Sequence, residues 1–519
     1  MNNSPFRGKI GGDKFQLAKN ARGGSMKNIK TNALANFLVR FANVVVPVLT
    51  GTYINRVFQN SVEYNYFNAG DTLMNIFLPF ASLGVYYFGV RQISKVKHDR
   101  DQVNYFFSSL FYITVISSIL TTLFYVGYVY ATVHQKSQLA IYLVLGSQIL
   151  SSFLYIEWMV EAFENYRFIL IKTIILRIIM IVALFGFVRT AEDIIIYAMV
   201  MSGAQILNYL FGFVWIKRQV KLVKVKVKDM LSMILPLISL LLMSSAVTLY
   251  TALDKLFLSY TDSEDAVSLY SQGQKISTMI ATLISSPISV SIPRLGYYLG
   301  QNNRQAYDNL VYKGARLFAF LIAPISLGLF ITGDYAVLLY GGGAYMGAAT
   351  VTAIFGIRSI TWSIETLLAN QIIFIHGYER SLTLYYFACG LLNLAFKFLL
   401  LNMHFSSPEI YILTTWLSEG VLIALEIYFI KRHGLIKLKP VIGSFLRYGL
   451  IAAGFIPISI VVNALSPVRM THLNFAVLVN LAILMTLCGV YYIAALWLLK
   501  DPVLTGMVEA VGNKLRRRG

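Results

Sequence analysis

A chain of 519 residues that is 57% hydrophobic and only 13% charged lies far from the roughly 25% charged content of a soluble domain, which excludes an ordinary soluble enzyme. Its formal net charge of +20 would suggest nucleic acid, but the basic residues alternate from loop to loop, which is a topology signal and excludes a nucleic-acid partner. The two cysteines, Cys389 and Cys488, both fall in predicted spans and offer neither a disulfide framework nor a metal spacing.

Residues 1–25 are Gly-rich and basic without an apolar core, so they are no signal peptide. They read as a disordered basic extension, with Met26 as the natural start. Fourteen apolar stretches follow, centred near Val44, Phe77, Ile116, Leu150, Ile179, Ala204, Leu242, Leu283, Ile325, Trp362, Leu392, Leu422, Phe455 and Leu484. Each is about 20 residues long and continuously apolar, so the expected fold is an all-α integral membrane protein and not a β-barrel.

Assigning loops alternately to two sides puts about 32 Lys and Arg on the side of the N-terminus, which makes both termini cytoplasmic by the positive-inside rule. The other side carries Arg56, Lys136, Arg189 and Arg469, and its loop from Tyr260 to Ala266 holds Asp262, Glu264 and Asp265 without a cation. All loops are short, which leaves no room for a soluble catalytic domain. Gly341, Gly342 and Gly343 lack the Lys-Ser/Thr of a phosphate loop, so an ATP-driven pump is excluded for this chain alone.

The basic loop 217–229 falls midway through the first twelve spans. Landmarks recur across it at a spacing of about 200 residues, as expected of two six-span repeats with a substrate site between them. Pro47 is echoed by Pro236, Arg91 by Arg294, and the run from Glu164 to Arg167 by that from Gly377 to Arg380. The expected organisation is a six-helix lobe over 26–216, a cytoplasmic linker over 217–229 and a second lobe over 230–430. Helices 13 and 14 occupy 431–500, and a basic cytoplasmic tail occupies 501–519.

Eight cations lie within these spans: Arg40, Lys172, Arg177, Lys255, Lys275, Arg358, Lys397 and Arg447. A cation at the bilayer centre costs at least about 2.5–3.5 kcal/mol, so each must face water, pair with a carboxylate or snorkel. Arg40 shares a helical stripe with Asn36 and Asn43, and span 2 carries a second stripe of Asn65, Asn68, Asp71 and Asn75. The asparagines suit interhelical hydrogen bonding as well as a cavity wall. Asp254 and Lys255 end span 7, where they form either an interfacial ion pair or, with Lys275, an outer gate. Arg358 and Glu365 are seven apart on span 10, Glu419 and Glu426 repeat that spacing on span 12, and Asn393 precedes Lys397 by four on span 11. Arg40, Arg358 and Lys397 are therefore expected to face one polar space. Lys172 and Arg447 lie near cytoplasmic ends and are expected to snorkel to lipid phosphates. Glu157 and Glu161 are expected to pair with Arg167, Lys172 or Arg177.

No catalytic constellation emerges: the six histidines are scattered, no HExxH occurs and no cofactor is implied. What remains is a membrane transporter whose polar interior handles negative charge or, least favoured, a membrane-embedded polymerase or transferase. In-span cations outnumber in-span carboxylates, which leans toward anions.

The run PVLTGTYINRVF from Pro47 to Phe58, followed by LGVYYFGVR from Leu83 to Arg91, resembles the start of polysaccharide repeat-unit flippases of the multidrug/oligosaccharidyl-lipid/polysaccharide exporter superfamily. Further similarities follow in order: Ile156 to Glu164, Leu253 to Lys255, Pro293-Arg294, Pro324 with Gly328, Leu339 to Gly341, and Gln371 to Glu379. They span Met26 to about residue 435. The runs IEWMVEAFENY ending at Tyr166 and SIPRLGYYLG starting at Ser291 look closest to the branch that exports teichoic acid chains in Gram-positive bacteria. The resemblance implies a plasma-membrane monomer that moves a polyprenyl-pyrophosphate-linked glycan between leaflets by alternating access. Capsular or exopolysaccharide repeat units are the alternative cargo, a cation-coupled multidrug antiporter is the alternative function that the resemblance implies on the same fold, and recognition of phosphocholine on the chain would give the in-span carboxylates and Tyr a second role. The substrate-contact set on this reading is Arg40, Arg358, Lys397, Asp71, Asp254, Lys255, Lys275 and Glu365.

Overall fold

The computed structural model describes residues 46–516, apart from 60, 97–98, 164, 262, 264, 285–294, 297 and 466–471. Arg40 and its stripe neighbours Asn36 and Asn43 therefore lie outside the described residues, as does the extension over 1–25. The described chain is helical nearly throughout. Its first half comprises α1 (46–57), α2 (Val62–Ser82), α3 (Val85–Val96), α4 (Arg100–Thr132), α5 (Lys136–Ser151), α6 (Glu157–Ala162), α7 (Tyr166–Phe187) and α8 (Ile194–Lys217). The second half comprises α9 (Val227–Leu258), α10 (Ala266–Ile284), α11 (Arg304–Ile331), α12 (Gly333–Tyr340), α13 (Ala349–Leu367), α14 (Glu379–Asn402) and α15 (Pro408–His433). Four further helices close the chain: α16 (Lys439–Ala453), α17 (Phe455–Leu465), α18 (Phe475–Leu498) and α19 (Pro502–Arg516).

Side-chain chemistry sets the boundaries. Ser61, Asp99, Asn165, Asn303 and Asn474 each accept a hydrogen bond from a backbone N–H of the helix they precede, satisfying donors that the first turn leaves orphaned. Pro408 opens α15 and Gly434, at φ 58°, closes it. Span 2 is interrupted between α2 and α3, where Leu83 and Gly84 take left-handed backbone at φ 47° and 69°. A Cβ on Gly84 would lie 2.7 Å from the Leu237 carbonyl of α9, so the crossing of the two halves there requires glycine. Past α13 the chain continues as a π-helical segment, Leu368–Ile373.

Helices α2, α4, α5 and α8 pack on one another in the first half, and α9, α11, α13, α14 and α15 in the second, while α16 lies along α11. Helices α9 and α10 also touch α2, and α9 touches α3, forming a seam between the halves. The loops near 59, 134, 189, 260 and 342 gather at one end of the bundle, called distal below. There the Tyr66 hydroxyl donates to Gln135, Tyr53 donates to the Val188 carbonyl, and Tyr128 pairs with Tyr260. The outer surface is apolar: Phe124, Val182, Leu450 and Val490 are each more than 60% exposed, a pattern that fits lipid rather than water.

Among the described residues, nine helices or helix pairs are long and apolar enough to cross a membrane. The expected fourteen is thus met only in part. The five unmatched spans are 1, 2, 7, 8 and 10. Span 1 is described only from residue 46 and the side chains of span 7 only in part, whereas spans 2, 8 and 10 are those in which polar and charged residues concentrate. Low hydropathy in these helices fits an interior place, since polar side chains in a spanning helix turn away from lipid.

Candidate functional site at the seam and in the second half

The seam is a layer of hydrogen bonds between α1 and α2 on one side and α10 on the other. Asn55 and Gln272 exchange a reciprocal pair, 3.1 Å from Asn55 Nδ2 to Gln272 Oε1 and 2.6 Å from Gln272 Nε2 to Asn55 Oδ1, and both residues are buried. Asn55 Nδ2 also donates to the Tyr340 carbonyl at 3.1 Å, and the Tyr64 hydroxyl donates to Asn55 Oδ1 at 3.1 Å. Asn68 donates to Ser268 Oγ at 3.1 Å, while Ser268 donates to Asn65. Ser268, Gln272 and Lys275 fall at four and three residues apart, so one face of α10 supplies all three.

Lys275 completes the layer. Its ammonium donates to Asn68 Oδ1 at 3.1 Å and stands 5.8 Å from the Tyr64 ring centroid. Lys255 and Asp71 are half-buried neighbours in the same region, each within electrostatic reach of the other, and Lys255 is within reach of Lys275 as well. Asp254 is also within reach of Lys255, and Asp265 accepts from Asn65 at 3.2 Å.

In the second half the charges are paired and closed off. Asp254 and Lys397 are both 0% exposed, with Lys397 Nζ 2.7 Å from Asp254 Oδ1. The Lys397 ammonium also donates to the Tyr411 carbonyl at 2.6 Å and to Thr414 and Thr415 Oγ1 at 2.6 and 3.1 Å. Tyr270 and Thr415 donate to the Asp254 carboxylate at 2.5 and 2.7 Å. A buried ion pair is tolerated only when its remaining lone pairs and protons are satisfied in this way. Deeper in the same half, Arg358 Nε donates to Glu419 Oε2 at 2.8 Å and its guanidinium stands 5.8 Å from the Phe355 centroid. Glu365 accepts from Tyr386 and from Thr366.

Of the expected substrate contacts, Asp71, Lys255 and Lys275 come together at the seam. Asp254 and Lys397 meet each other, not Lys255 and an open space, because Asp254 lies under α14 and α15. Arg358 is tied to Glu419, and Glu365 lies on the same helix beyond it. Two other expectations are corrected. Lys172 does not reach lipid phosphate: it is 7% exposed and pairs with Glu157 at 3.3 Å, as expected of that glutamate. Arg447 pairs with buried Asp501 of the tail at 3.3 Å. In both cases a carboxylate within reach replaces the interface as the partner. Asn55, Ser268, Gln272 and Thr415 carry more of the site than sequence reading assigned them, and the stripe on α10 was the available signal.

Residues 29–298, just over half of the chain, match the family model described as "Polysaccharide biosynthesis protein". A "Putative O-antigen transporter" of Escherichia coli (strain K12) is 19% identical over 412 residues, covering 79% of this chain and 98% of that protein. The Shigella dysenteriae protein of the same name is 20% identical over 375 residues, covering 71% of this chain and 92% of that one. Among solved structures, a lipid II flippase MurJ in an inward closed conformation aligns with TM-score 0.68 at 13% identity, covering 91% of this chain and all of that one. An outward-facing multidrug resistance MATE family transporter of the MOP superfamily aligns at TM-score 0.50 and 10% identity, over 85% of this chain and 99% of that one. The architecture is therefore that of a multi-pass helical membrane protein with the fold of these transporters, and the chain belongs to the polysaccharide biosynthesis protein family.

Proposed function

We propose that this protein is a flippase that carries a polyprenyl-pyrophosphate-linked glycan from the cytoplasmic to the outer leaflet, with a teichoic acid chain or repeat unit as its cargo. The observation that carries the reading is the seam. A polar layer that holds Lys255 and Lys275 among hydrogen-bonding amides lies where the two halves of a transporter fold meet, in a chain of a polysaccharide biosynthesis family. Lys255 and Lys275 are the residues we assign to the pyrophosphate, because ammonium groups beside hydrogen-bonding amides suit a polyanion. Asp71, within electrostatic reach of Lys255, offsets part of that charge between cycles. Asp254, Lys397, Arg358 and Glu365 hold the second half in shape around that contact, and Arg40 joins the set on its place in the sequence. The protein works as a monomer in the plasma membrane of a Gram-positive bacterium with both termini in the cytoplasm, which makes the distal end the outer one. The matched relatives bear transport names and none a catalytic one. Flipping changes the side of a lipid-linked glycan without changing its covalent structure.

Deletion of the gene is the test. Lipid-linked glycan accumulating in the cytoplasmic leaflet identifies the cargo, and unchanged leaflet distribution of every such glycan rejects the reading. A second reading, a cation-coupled multidrug antiporter, draws on one observation: in the second half away from the seam, the buried Asp254, Glu365, Glu419 and Glu426 outnumber Lys397 and Arg358. Drug sensitivity of the deletion strain separates the two.

A further inference from the structure

Glu426 is a fully buried carboxylate of the second half that none of the ion pairs among the described residues explains. It is 0% exposed, and neither Oε1 nor Oε2 has a hydrogen-bond partner among the described residues. An ionised carboxylate so placed loses its hydration with nothing in return, a cost that proteins avoid by keeping the group neutral. The groups facing it are known element by element. From α13 comes Glu365, with Arg358 two turns away and committed to Glu419. From α14 come Cys389 and, bonded to Glu365, Tyr386. Its own helix contributes Glu419. The π-helical segment supplies no ionisable side chain. Those of α9 and α10 on this side, Asp254, Lys255, Tyr270 and Lys275, gather about Lys397 and the seam, and Thr415, which bonds Asp254, lies about 16 Å along α15 from Glu426. Glu365, Glu419 and Glu426 thus share one nearby cation.

We infer that Glu426 is a proton-binding site. Its carboxyl group holds the proton while α13, α14 and α15 are packed as described, and releases it to water when those helices part. The reaction is a plain dissociation of the carboxylic acid into carboxylate and a hydrated proton, with no other reactant. Ionisation beside Glu365 and Glu419 places like charges in one apolar space, so the deprotonated site favours the parted arrangement and the protonated site the packed one. No inorganic cation is needed. Among the described residues no group of three or more His, Cys, Asp or Glu side chains is placed to hold a metal ion. The chemistry of the site stands independently of the transport reading, while its role in coupling rests on it.

Infrared difference spectroscopy of the full-length protein in lipid nanodiscs, titrated over about pH 5 to 9, tests the site without any glycan. The expected result is a carboxylic-acid carbonyl band that disappears as pH rises, is absent from Glu426→Gln, and is unmoved by sodium at fixed pH. Lack of a titrating band, its persistence in Glu426→Gln, or its removal by sodium overturns the proposal. If Glu426→Gln does not fold, Glu426→Met serves, since a neutral resting group predicts tolerance of an apolar side chain of similar volume. In proteoliposomes with lipid-linked glycan, a gradient of one pH unit should shift the leaflet ratio about tenfold for one proton per cycle, and Glu426→Gln should abolish that shift. A titrating band with no glycan movement rejects the flippase reading and leaves the proton site standing, whereas glycan movement without the band does the reverse.

Discussion

In the second half of the molecule Lys397 and Arg358 each have a carboxylate within 2.8 Å and little or no open surface, while at the seam Lys255 has Asp71 within electrostatic reach, Lys275 is bonded to the Asn68 amide, and both stay half-buried. A lysine ammonium occurs in both places, and the packing around it differs. Where two helices supply a carboxylate, a carbonyl and hydroxyls to one ammonium, the charge becomes part of the framework. Where the helices come from opposite halves, the partners are neutral amides that can be exchanged. A charge held by neutral partners can be handed to a ligand at small cost, and one locked to a buried carboxylate cannot.

Lys397→Met is the severest way to break this contrast. It strands Asp254 as a buried charge without a counter-ion, and a loss of about 3–5 kcal/mol follows, read as a lower unfolding temperature in detergent and lower abundance. Adding Asp254→Asn should restore most of that stability. An unchanged single variant would show that the pair is not locked. Lys275→Gln sharpens the other side. At matched abundance, glycan export should fall tenfold or more, the equivalent of one charge-assisted bond of about 1.5–3 kcal/mol, with stability nearly unchanged. Asn55→Ala removes the reciprocal pair with Gln272 and should cost about 1 kcal/mol, with greater accessibility of a cysteine placed at Ser268. The smallest effect belongs to Arg447→Ala. Its side chain is 42% exposed, so loss of the pair with Asp501 should move stability by no more than about 1 kcal/mol. A larger change there would make the tail helix a structural clamp.

Much of the helical framework was legible because hydrophobic runs and loop charge are local properties. The same holds for the stripe of Asn65, Asn68 and Asp71, which a helical period puts on one face. The pairing of Asp254 with Lys397 was not legible, since 143 positions separate them in the chain and nothing near either names its partner. Lys172 and Arg447 were assigned to lipid headgroups for the same reason: distance along a span is visible in sequence, but a carboxylate on the next helix is not. The break at Leu83 was hidden as well. Gly84 alone is a weak signal until α9 is seen crossing it.

The π-helical segment at the end of α13 has a consequence for lineage as well as for shape. Phe374 N–H reaches back five residues to the Ala369 carbonyl at 2.8 Å, and Tyr378 N–H reaches Ile373 in the same way at 3.3 Å. Each such turn holds one residue more than an α-turn, so the segment stores an inserted residue without lengthening the helix by a full turn. The surplus carbonyl of Gln371 is taken up by the Tyr307 hydroxyl at 2.7 Å. Relatives with a regular helix here should align with a one-residue gap between Leu368 and Tyr378. Excising one residue from this stretch should rotate everything after it by about 100° relative to Glu365, re-pairing the helix with its neighbours without unfolding it.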